Sequence, residues 1–304
     1  MARRSNSTQF LFMEIIRTVD EMQSYADEAR AAGDRVALVP TMGALHGGHL
    51  SLVSIAREHA DRVVVSIFVN PTQFGPDEDF DEYPRELDQD AEKLRAERVD
   101  ALFAPTAQEM YPHSDATERT APLTWVEVDE FDEVLCGQHR EGHFRGVTTV
   151  VTKLFHACKP HVAVFGQKDA QQLAILRRMT SELLFDINII GAPIVRESDG
   201  LAMSSRNAYL SDAHRGEATV LFDAVTAAES AVLHGEQDAT RIVRAMQNEL
   251  GKAEAAEVQY ADVVDAQTLA PVDRLSVGQD VLAAVAVYFG DTRLIDNTIV
   301  AVPE

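Results

Sequence analysis

Short apolar runs alternate with longer amphipathic stretches through the first two thirds of the chain. The apolar runs have the length of single strands and occupy residues 35–43, 62–70, 101–105, 161–166 and 187–195. Between them, apolar residues repeat at helical spacing in residues 49–60, 88–100, 146–160 and 170–184. Continuous apolar runs are typical of strands buried on both faces of a parallel sheet. The alternation therefore predicts a doubly wound α/β, Rossmann-like domain over residues 13–195.

The pattern changes after residue 195. Two long helical stretches, at residues 214–233 and 239–253, precede two strand-like segments, at residues 258–266 and 281–290, and a tail at residues 292–300. Helices and strands that are grouped in this way are typical of α+β folds. A chain of 304 residues is long enough for two domains, so the sequence predicts a smaller α+β C-terminal domain over residues 196–304.

The amino terminus carries Arg3 and Arg4 before a short apolar patch, a combination that also occurs in export signals. Glu14 and Arg17 interrupt that patch, so we expect a cytoplasmic protein. Residues 1–12 are expected to be a disordered extension, unless Met13 is the true start. No stretch reaches the roughly 18 consecutive apolar residues of a membrane span.

Charge and cysteine content exclude several classes of protein. Lys and Arg number 27 against 49 Asp and Glu, which gives a formal net charge of −22. Such a charge repels nucleic acids and anionic membranes, so a phosphate ligand requires a local cluster of basic groups. Cys136 and Cys158 lack the paired spacing of metal or redox motifs, and we expect reduced thiols.

Residues 39–53, VPTMGALHGGHLSLV, place two histidines around a pair of glycines between a predicted strand and a predicted helix. Helix amino termini at the carboxyl ends of parallel strands bind anions well, because their N–H groups lack partners. On pattern alone His46 and His49 could bind a phosphate, bind zinc, or cap the helix. The absence of a neighbouring Cys or acidic ligand weakens the zinc alternative.

The HGGH sequence resembles the HxGH signature of nucleotidyltransferases that act on the α-phosphate of ATP. From about Met13 onward, the chain resembles the pantothenate synthetase (pantoate–β-alanine ligase) family in six ordered stretches: PTMGALHGGHLSLV, SIFVNPTQFGPDEDFDEYPR, GHFRGVTTVVTKLF, FGQKDAQQLAILRRM, VRESDGLAMSSRNAYLS and TRLIDN. This resemblance implies a two-step reaction. Pantoate and ATP give an enzyme-held pantoyl adenylate and pyrophosphate, and β-alanine then displaces AMP to give pantothenate.

The resemblance also implies an ATP site built from three segments. These contain Met42, Gly43, Ala44, Leu45, His46, Gly47, Gly48 and His49; Gly166, Gln167, Lys168 and Asp169; and Val195, Met203, Ser204, Ser205 and Arg206. Attack of a carboxylate on the α-phosphorus builds negative charge that fixed donors must stabilise. His49, Lys168 and Arg206 are the candidate catalytic residues, with His46 beside them, and Asp169 is expected to bind the ribose hydroxyls.

Pantoate has to remain a nucleophile while it is oriented. Neutral carboxamides can orient its hydroxyls and carboxylate without a full opposing charge. Gln73 and Gln172 match the family's pantoate positions, and Asn70 is expected to join them. Pro40, Met42 and Phe68 are expected to form an apolar wall against the pantoate methyl groups.

The acidic run at residues 77–90 is by composition a solvated face, but ATP chemistry requires Mg²⁺, which prefers one or two carboxylates together with phosphate oxygens. Asp90 is the candidate ligand and Asp88 the second choice. Family members are typically dimeric, so we expect a homodimer.

Two alternatives to the ligase remain. Another HxGH adenylyltransferase would keep AMP on its product and ignore β-alanine, whereas a non-catalytic nucleotide-binding module would bind ATP without releasing AMP. The pairing of NPTQFG with QKDAQQ argues against the first, and the joint presence of His49, Lys168 and Arg206 argues against the second.

We predict that Lys168→Ala lowers kcat by roughly 10²- to 10³-fold, the effect of removing one preorganised transition-state donor. Unfolding by denaturant should stay close to wild type, because the change removes no core side chain. Steady-state kinetics on the folded variant test this, and a kcat within about twofold of wild type would exclude Lys168 from that role.

Overall fold

The computed structural model describes residues 13–76, 78–113, 122–131 and 133–304. The expectation for residues 1–12 lies outside these ranges. Within the described chain, no helix combines the length and the apolar character needed to cross a membrane.

The N-terminal part is a six-stranded parallel sheet with helices on both faces, which confirms the predicted fold class. Its strands are β1 (Glu14–Ile16), β2 (Val36–Thr41), β3 (Arg62–Ile67), β4 (Ala101–Phe103), β5 (Val162–Gly166) and β6 (Asn188–Ala192). Its helices are α1 (Val19–Ala31), α2 (Gly47–His59), α3 (Leu87–Ala96), α4 (Ala107–Met110), α5 (His143–Cys158) and α6 (Ala170–Glu182). The strand order β1-β4-β3-β2-β5-β6 reverses direction between β2 and β5. Loops that follow these two strands therefore border the crevice where ligands bind in such sheets.

Both faces of the sheet are buried, as the continuous apolar runs predict. In β2, Val36 and Leu38 pack on the face covered by α1, α5 and α6, whereas Ala37 and Val39 pack on the face covered by α2 and α3. Because side chains alternate along a strand, only a run without polar interruptions can fill both layers.

The sequence analysis missed β1 and α1. Helix α1 begins with a capping box between Thr18 and Glu21, and it buries only Met22, Ala26 and Ala29. These residues lie at helical spacing, but two of the three are alanines, and half of the other ten residues of the helix are charged. The apolar stripe is therefore too weak to stand out in the pattern.

The C-terminal part packs two helices against an antiparallel sheet of three strands, which confirms the predicted α+β character. Its elements are α7 (Asp212–Glu217), α8 (Val220–Leu233), α9 (Ala239–Leu250), β7 (Ala256–Asp265), β8 (Asp280–Phe289) and β9 (Thr292–Ala301). The two packed helices are α8 and α9. The single helix predicted over 214–233 is wrong, because the chain breaks at Ala218 and Thr219. The domain boundary at residue 195 stays a prediction and falls between β6 and this helical region.

Strand β9 joins the two parts of the chain. Asp296 accepts two hydrogen bonds from Arg196, at 2.6 and 3.0 Å. Next to it, Asn297 donates through Nδ2 to the carbonyl oxygens of Gln167 and Lys168, at 3.1 and 2.9 Å. Both β9 side chains are buried, so the C-terminal sheet supports the loop after β5.

Helix α5 lies very close to the loop that follows β3. A Cβ added at Gly146 would overlap the carbonyl oxygen of Thr72 and lie 2.8 Å from Cα of Gln73. The carbonyl of Gly146 also accepts a hydrogen bond from Asn70 Nδ2 at 3.2 Å. Only glycine permits this backbone approach.

We predict that Gly146→Ala lowers the free energy of unfolding by about 1–3 kcal/mol, since backbone atoms must shift to admit the methyl group. Urea unfolding measures the loss. Gly216→Ala is the matched control, because that glycine is helical and has no heavy atom within 4 Å of an added Cβ. It should be neutral or slightly stabilising, and equal effects of the two substitutions would contradict the packing argument.

Candidate functional site

A cavity of about 250 Å³ opens at the carboxyl ends of β2, β3, β5 and β6. It contains most of the predicted site residues, contributed by loops that are far apart in sequence. The predicted residues that line it are Pro40, Met42, His46, Gly48, His49, Phe68, Asn70, Gln73, Gly166, Lys168, Asp169, Gln172, Val195, Met203, Ser204, Ser205 and Arg206. The structure thus brings the predicted nucleotide and acid-substrate residues into one space.

The loop after β2 turns sharply into α2. Gly43 and Ala44 both adopt positive φ values, 88° and 50°. The first is favourable for glycine, whereas the second is strained for a residue with a Cβ. His46 caps the helix, because its Nδ1 accepts the N–H of Gly48 at 3.1 Å. The turn therefore brings the histidine pair and the start of α2 to the cavity wall.

His46 and His49 lie together with ring centroids 4.1 Å apart. Nδ1 of His49 accepts the backbone N–H of His46 at 3.4 Å, and Nδ1 of His46 is likewise an acceptor. In a neutral ring the proton must then be on Nε2. Burial and the neighbouring His46 lower the pKa of His49 to about 3, and burial with the nearby Lys168 lowers the pKa of His46. Both rings are therefore neutral N–H donors in the free protein rather than cations.

Lys168 is the cation of the cavity that has no acidic partner. Among the described residues, no carboxylate forms an ion pair with it. Its loop, Gln167–Asp169, is a short 3-10 turn directly after β5. The backbone carbonyls of that turn are held by Asn297 of β9, which the sequence analysis did not identify as a site residue.

Arg206 reaches the cavity in an ion pair. Its Nη2 and Nε donate to the two carboxylate oxygens of Asp79, at 3.0 and 3.3 Å. Ser204 caps the same turn by accepting the N–H of Arg206, while Ser205 contacts the hydroxyl of Tyr83. The acidic stretch 78–83 therefore lies against the basic loop, which the sequence pattern did not indicate.

A polar cluster forms the end of the cavity beneath the loop after β3. Asn70 is 1% exposed. Its Nδ2 donates to Gln73 Oε1 at 3.0 Å, and its Oδ1 accepts from the Tyr111 hydroxyl at 2.8 Å. Within the described ranges, Gln73 Nε2 contacts only the sulfur of Met42, at 3.2 Å. Asn70 is thus fully used in positioning Gln73, whose amide group remains available to a ligand.

Gln172 differs from its neighbour Gln171. Gln171 is buried and bonds the backbone of Phe131, Val134 and Cys136. Gln172 lines the cavity, and its side chain makes no hydrogen bond with the described residues. Its carboxamide is therefore available to a ligand.

Helix α5 supplies a wall that the sequence analysis did not identify. Val147, Val150 and Leu154 line the cavity beside the predicted apolar residues. At the start of this helix, His143 lies between Arg140 Nη1 at 2.9 Å and the carbonyl of Gln73 at 2.8 Å. The helical periodicity of residues 146–160 shows which positions of the helix are apolar. It gives no information on which of them face a ligand.

Arg140 is held by Glu78 through two hydrogen bonds of 2.6 and 2.8 Å. Its remaining contact, with His143 Nε2, requires that nitrogen to be an acceptor. His143 therefore carries its proton on Nδ1 and donates it to Gln73. Burial, together with the charge of Arg140, lowers the pKa of His143 to about 3.

Five predicted residues shape the loops and do not line the cavity: Gly43, Ala44, Leu45, Gly47 and Gln167. The side chain of Leu45 lies in the core between the sheet and α2. Gln167 contributes its carbonyl to the bond with Asn297. These residues act through the backbone path, and direct contact with a nucleotide stays a prediction for them.

Asp90 supports the same loop from below. It is 0% exposed, and its Oδ1 accepts the N–H of Leu45 at 2.9 Å and the ammonium of Lys93 at 3.2 Å. Lys93 also donates to the carbonyl of Leu45 at 2.8 Å. Asp90 does not line the cavity, so this placement does not favour it as the ligand of a metal bound there. Asp88, the second choice for a metal ligand, is exposed on α3.

Comparison with known proteins supports the resemblance drawn from the motifs. Residues 14–299 match the profile of the pantoate-β-alanine ligase family. The chain is 65% identical to pantothenate synthetase of Salinibacter ruber over 291 residues, which cover 96% of this chain and 99% of that protein. It is 50% identical to pantothenate synthetase of Thermotoga neapolitana, over 94% of this chain and 99% of the relative.

Solved structures agree with these relatives. Pantothenate synthetase from Thermus thermophilus superposes with a TM-score of 0.84 at 42% identity, covering 94% of this chain and 99% of that one. Pantoate-β-alanine ligase from Francisella tularensis, solved with β-γ ATP and β-alanine, has a TM-score of 0.75 at 30% identity, covering 95% and 98%.

We predict that His143→Gln weakens the loss of stability in mild acid. A histidine with a folded pKa near 3 and an unfolded pKa near 6.5 binds its proton only when the protein unfolds. The contribution of this group to the free energy of unfolding is therefore fully present above about pH 6.5. It is lost as the pH drops toward 3, by at most about 1.4 kcal/mol per pH unit for one such group. Urea unfolding at several pH values between these limits measures the slope.

The variant should show a shallower slope than wild type. His59→Gln is the control, because His59 is exposed at the end of α2, and its slope should match wild type. A His143→Gln slope as steep as that of wild type would contradict a buried neutral imidazole.

Proposed function

The chain belongs to the pantoate-β-alanine ligase family, and on that premise we propose that its large cavity condenses pantoate with β-alanine at the expense of ATP, through a bound pantoyl adenylate. The observation that carries this proposal is the single cavity shared by Nε2–H donors of His46 and His49, the unpaired ammonium of Lys168, and the available carboxamides of Gln73 and Gln172. The imidazoles and the ammonium are suited to bind phosphate, and the carboxamides are suited to bind a hydroxy acid.

The nucleotide lies, in this proposal, across the crevice between β2 and β5. The two imidazoles donate hydrogen bonds to phosphate oxygens, and Lys168 balances the charge that develops at the α-phosphorus. A cation about 4 Å from a developing charge contributes about 4 kcal/mol at an effective dielectric of 20. Arg206 and the serines beside it bind the leaving pyrophosphate, which requires the phosphates to replace Asp79 on Arg206. Asp169, exposed at the rim, binds the ribose hydroxyls.

Pantoate lies against the carboxamide end of the cavity. Gln73 and Gln172 orient its hydroxyls and carboxylate, and Pro40, Met42 and Phe68 pack against its methyl groups. Arg140 is close, but Glu78 neutralises it. The pantoate carboxylate therefore faces no unpaired guanidinium at this end and stays nucleophilic.

The chemistry proceeds in two displacements. A pantoate carboxylate oxygen attacks the α-phosphorus, the bond to the β-phosphate bridging oxygen breaks, and pyrophosphate leaves. The amine of β-alanine then attacks the acyl carbon, the carbon–oxygen bond to AMP breaks, and the displaced proton passes to solvent. Lys168 and the two imidazoles stabilise the phosphate charge in both steps.

Magnesium accompanies ATP in this proposal, but the chain supplies little of its coordination. Among the described residues, no group of three or more His, Cys, Asp or Glu side chains could hold a metal ion. Asp90 is buried with Leu45 and Lys93 as partners and does not fit a ligand facing the cavity. A cation held by phosphate oxygens and water is usual for Mg²⁺. We also propose that the protein forms a homodimer and is located in the cytoplasm.

Exchange of labelled pyrophosphate into ATP tests the first step directly. We expect exchange that depends on pantoate and needs no β-alanine, because the adenylate forms and reverses before the amine reacts. Lys168→Ala is the site control and should lose exchange. Folded wild-type protein that shows no exchange with pantoate and Mg²⁺ would overturn the proposal. Stable adenylylated product that ignores β-alanine would favour an adenylyltransferase, and ATP binding without turnover would favour a binding module.

A further inference from the structure

A second, smaller cavity of about 70 Å³ lies between the N-terminal part and the C-terminal sheet. It borders the large cavity, since Lys168, Gln172 and Arg206 line both. Its other wall includes Tyr260 of β7 and Arg293 of β9. By the measure of about 10–15 Å³ for each water, the space holds roughly five to seven heavy atoms. That matches a molecule of the size of β-alanine, which has six.

Arg293 has hydrogen-bonding capacity that its surroundings do not use. Its Nε donates to Gln259 Oε1 at 2.9 Å, and its Nη2 contacts the sulfur of Cys136 at 3.2 Å. The Tyr260 hydroxyl is also a hydrogen-bond partner of this guanidinium. A guanidinium has five N–H donors, so these three contacts leave two of them for a ligand. Within the described ranges, no carboxylate forms an ion pair with Arg293.

The neighbouring arginines differ in this respect. Arg140 is paired with Glu78, Arg206 with Asp79, and Arg196 with Asp296. Each of these guanidiniums already binds a carboxylate inside the protein. A half-buried guanidinium in a polar cavity without such a partner is suited to bind the carboxylate of a ligand.

The position of Arg293 also fits the direction in which an amine has to approach. Arg293 lines both the small cavity and an outer groove that leads to solvent. Side chains of Glu82 and Asp291 stand in that groove, so free anions are repelled more than zwitterions there. A ligand whose carboxylate stops at Arg293 extends its other end inward, toward Gln172 and Lys168.

We propose that Arg293 binds the carboxylate of β-alanine in the small cavity and directs its amine toward the acyl carbon of the adenylate. The inference rests on the proposed function. It assigns a specificity role to the TRLIDN stretch, whose Asp296 and Asn297 hold the domains and the Lys168 loop together. The two-carbon spacer of β-alanine separates the anchored carboxylate from the reacting nitrogen, so an α-amino acid leaves its amine short of the acyl carbon.

The test compares two amines in wild type and in Arg293→Gln. β-Alanine has the carboxylate, and 3-aminopropan-1-ol presents the same amine and spacer with a hydroxyl in its place. In the variant, the KM for β-alanine should rise about 10- to 150-fold, the range for losing a hydrogen bond to a charged group. With 3-aminopropan-1-ol, kcat/KM should change by no more than about threefold. Arg293→Lys keeps the charge and should lose less than Arg293→Gln, though not reach wild type.

Pyrophosphate exchange is measured on the same preparations. Adenylation needs no amine, so exchange reports on folding and on the first step independently of this inference. Arg274→Gln is the matched control, because Arg274 is exposed in the C-terminal part and its guanidinium bonds Gln237, away from both cavities. It should behave as wild type with both amines.

Two results would overturn the inference. An unchanged KM for β-alanine in Arg293→Gln would remove the carboxylate contact, and an equal loss with both amines would make Arg293 a structural residue of the domain junction. Absence of exchange in wild type would instead count against the proposed function. The two failures are therefore distinguishable.

Discussion

Anion binding by a strongly anionic chain is the constraint on which the structure of this site depends. With a formal net charge of −22, the protein repels phosphate everywhere except where donors are concentrated locally. The reversal of strand order between β2 and β5 provides that place, because two loops and a helix amino terminus meet there. The histidine pair and Lys168 would be ordinary polar residues at any other position in the sheet.

The donors of this site are held in specific states before any ligand binds. His46 and His49 are neutral because burial disfavours the charged imidazole, and their Nδ1 atoms are engaged by backbone N–H groups. The two imidazoles therefore contribute oriented hydrogen-bond donors and no positive charge. Binding of a phosphate would raise the pKa of both rings. Arg140 and Arg206 are instead neutralised by Glu78 and Asp79 of one acidic segment. Positive charge is thus present at the cavity but largely compensated until a stronger anion competes for it.

The C-terminal sheet completes the site and does not simply cover it. Asn297 fixes the carbonyls of the Lys168 turn, and Asp296 holds Arg196 at the start of the connecting segment. One strand therefore supports the turn that carries the Lys168 ammonium and also carries Arg293 at the adjoining cavity. The position of the C-terminal sheet therefore affects the geometry of the turn that follows β5.

The sequence by itself determined the strand and helix alternation, the loops that carry the chemistry, and through ordered motifs the family. These are local properties, since side-chain periodicity and turn residues report on neighbours along the chain. Where the local signal was weak, the prediction was wrong: the alanine-lined α1 was missed, and so was the break in the helix at Ala218. Only the tertiary structure decided that His49 is neutral, that Asp90 supports a loop, and that Asp79 pairs with Arg206 across 127 positions. Charge state and pairing depend on burial and on contacts between distant segments, which no local pattern encodes.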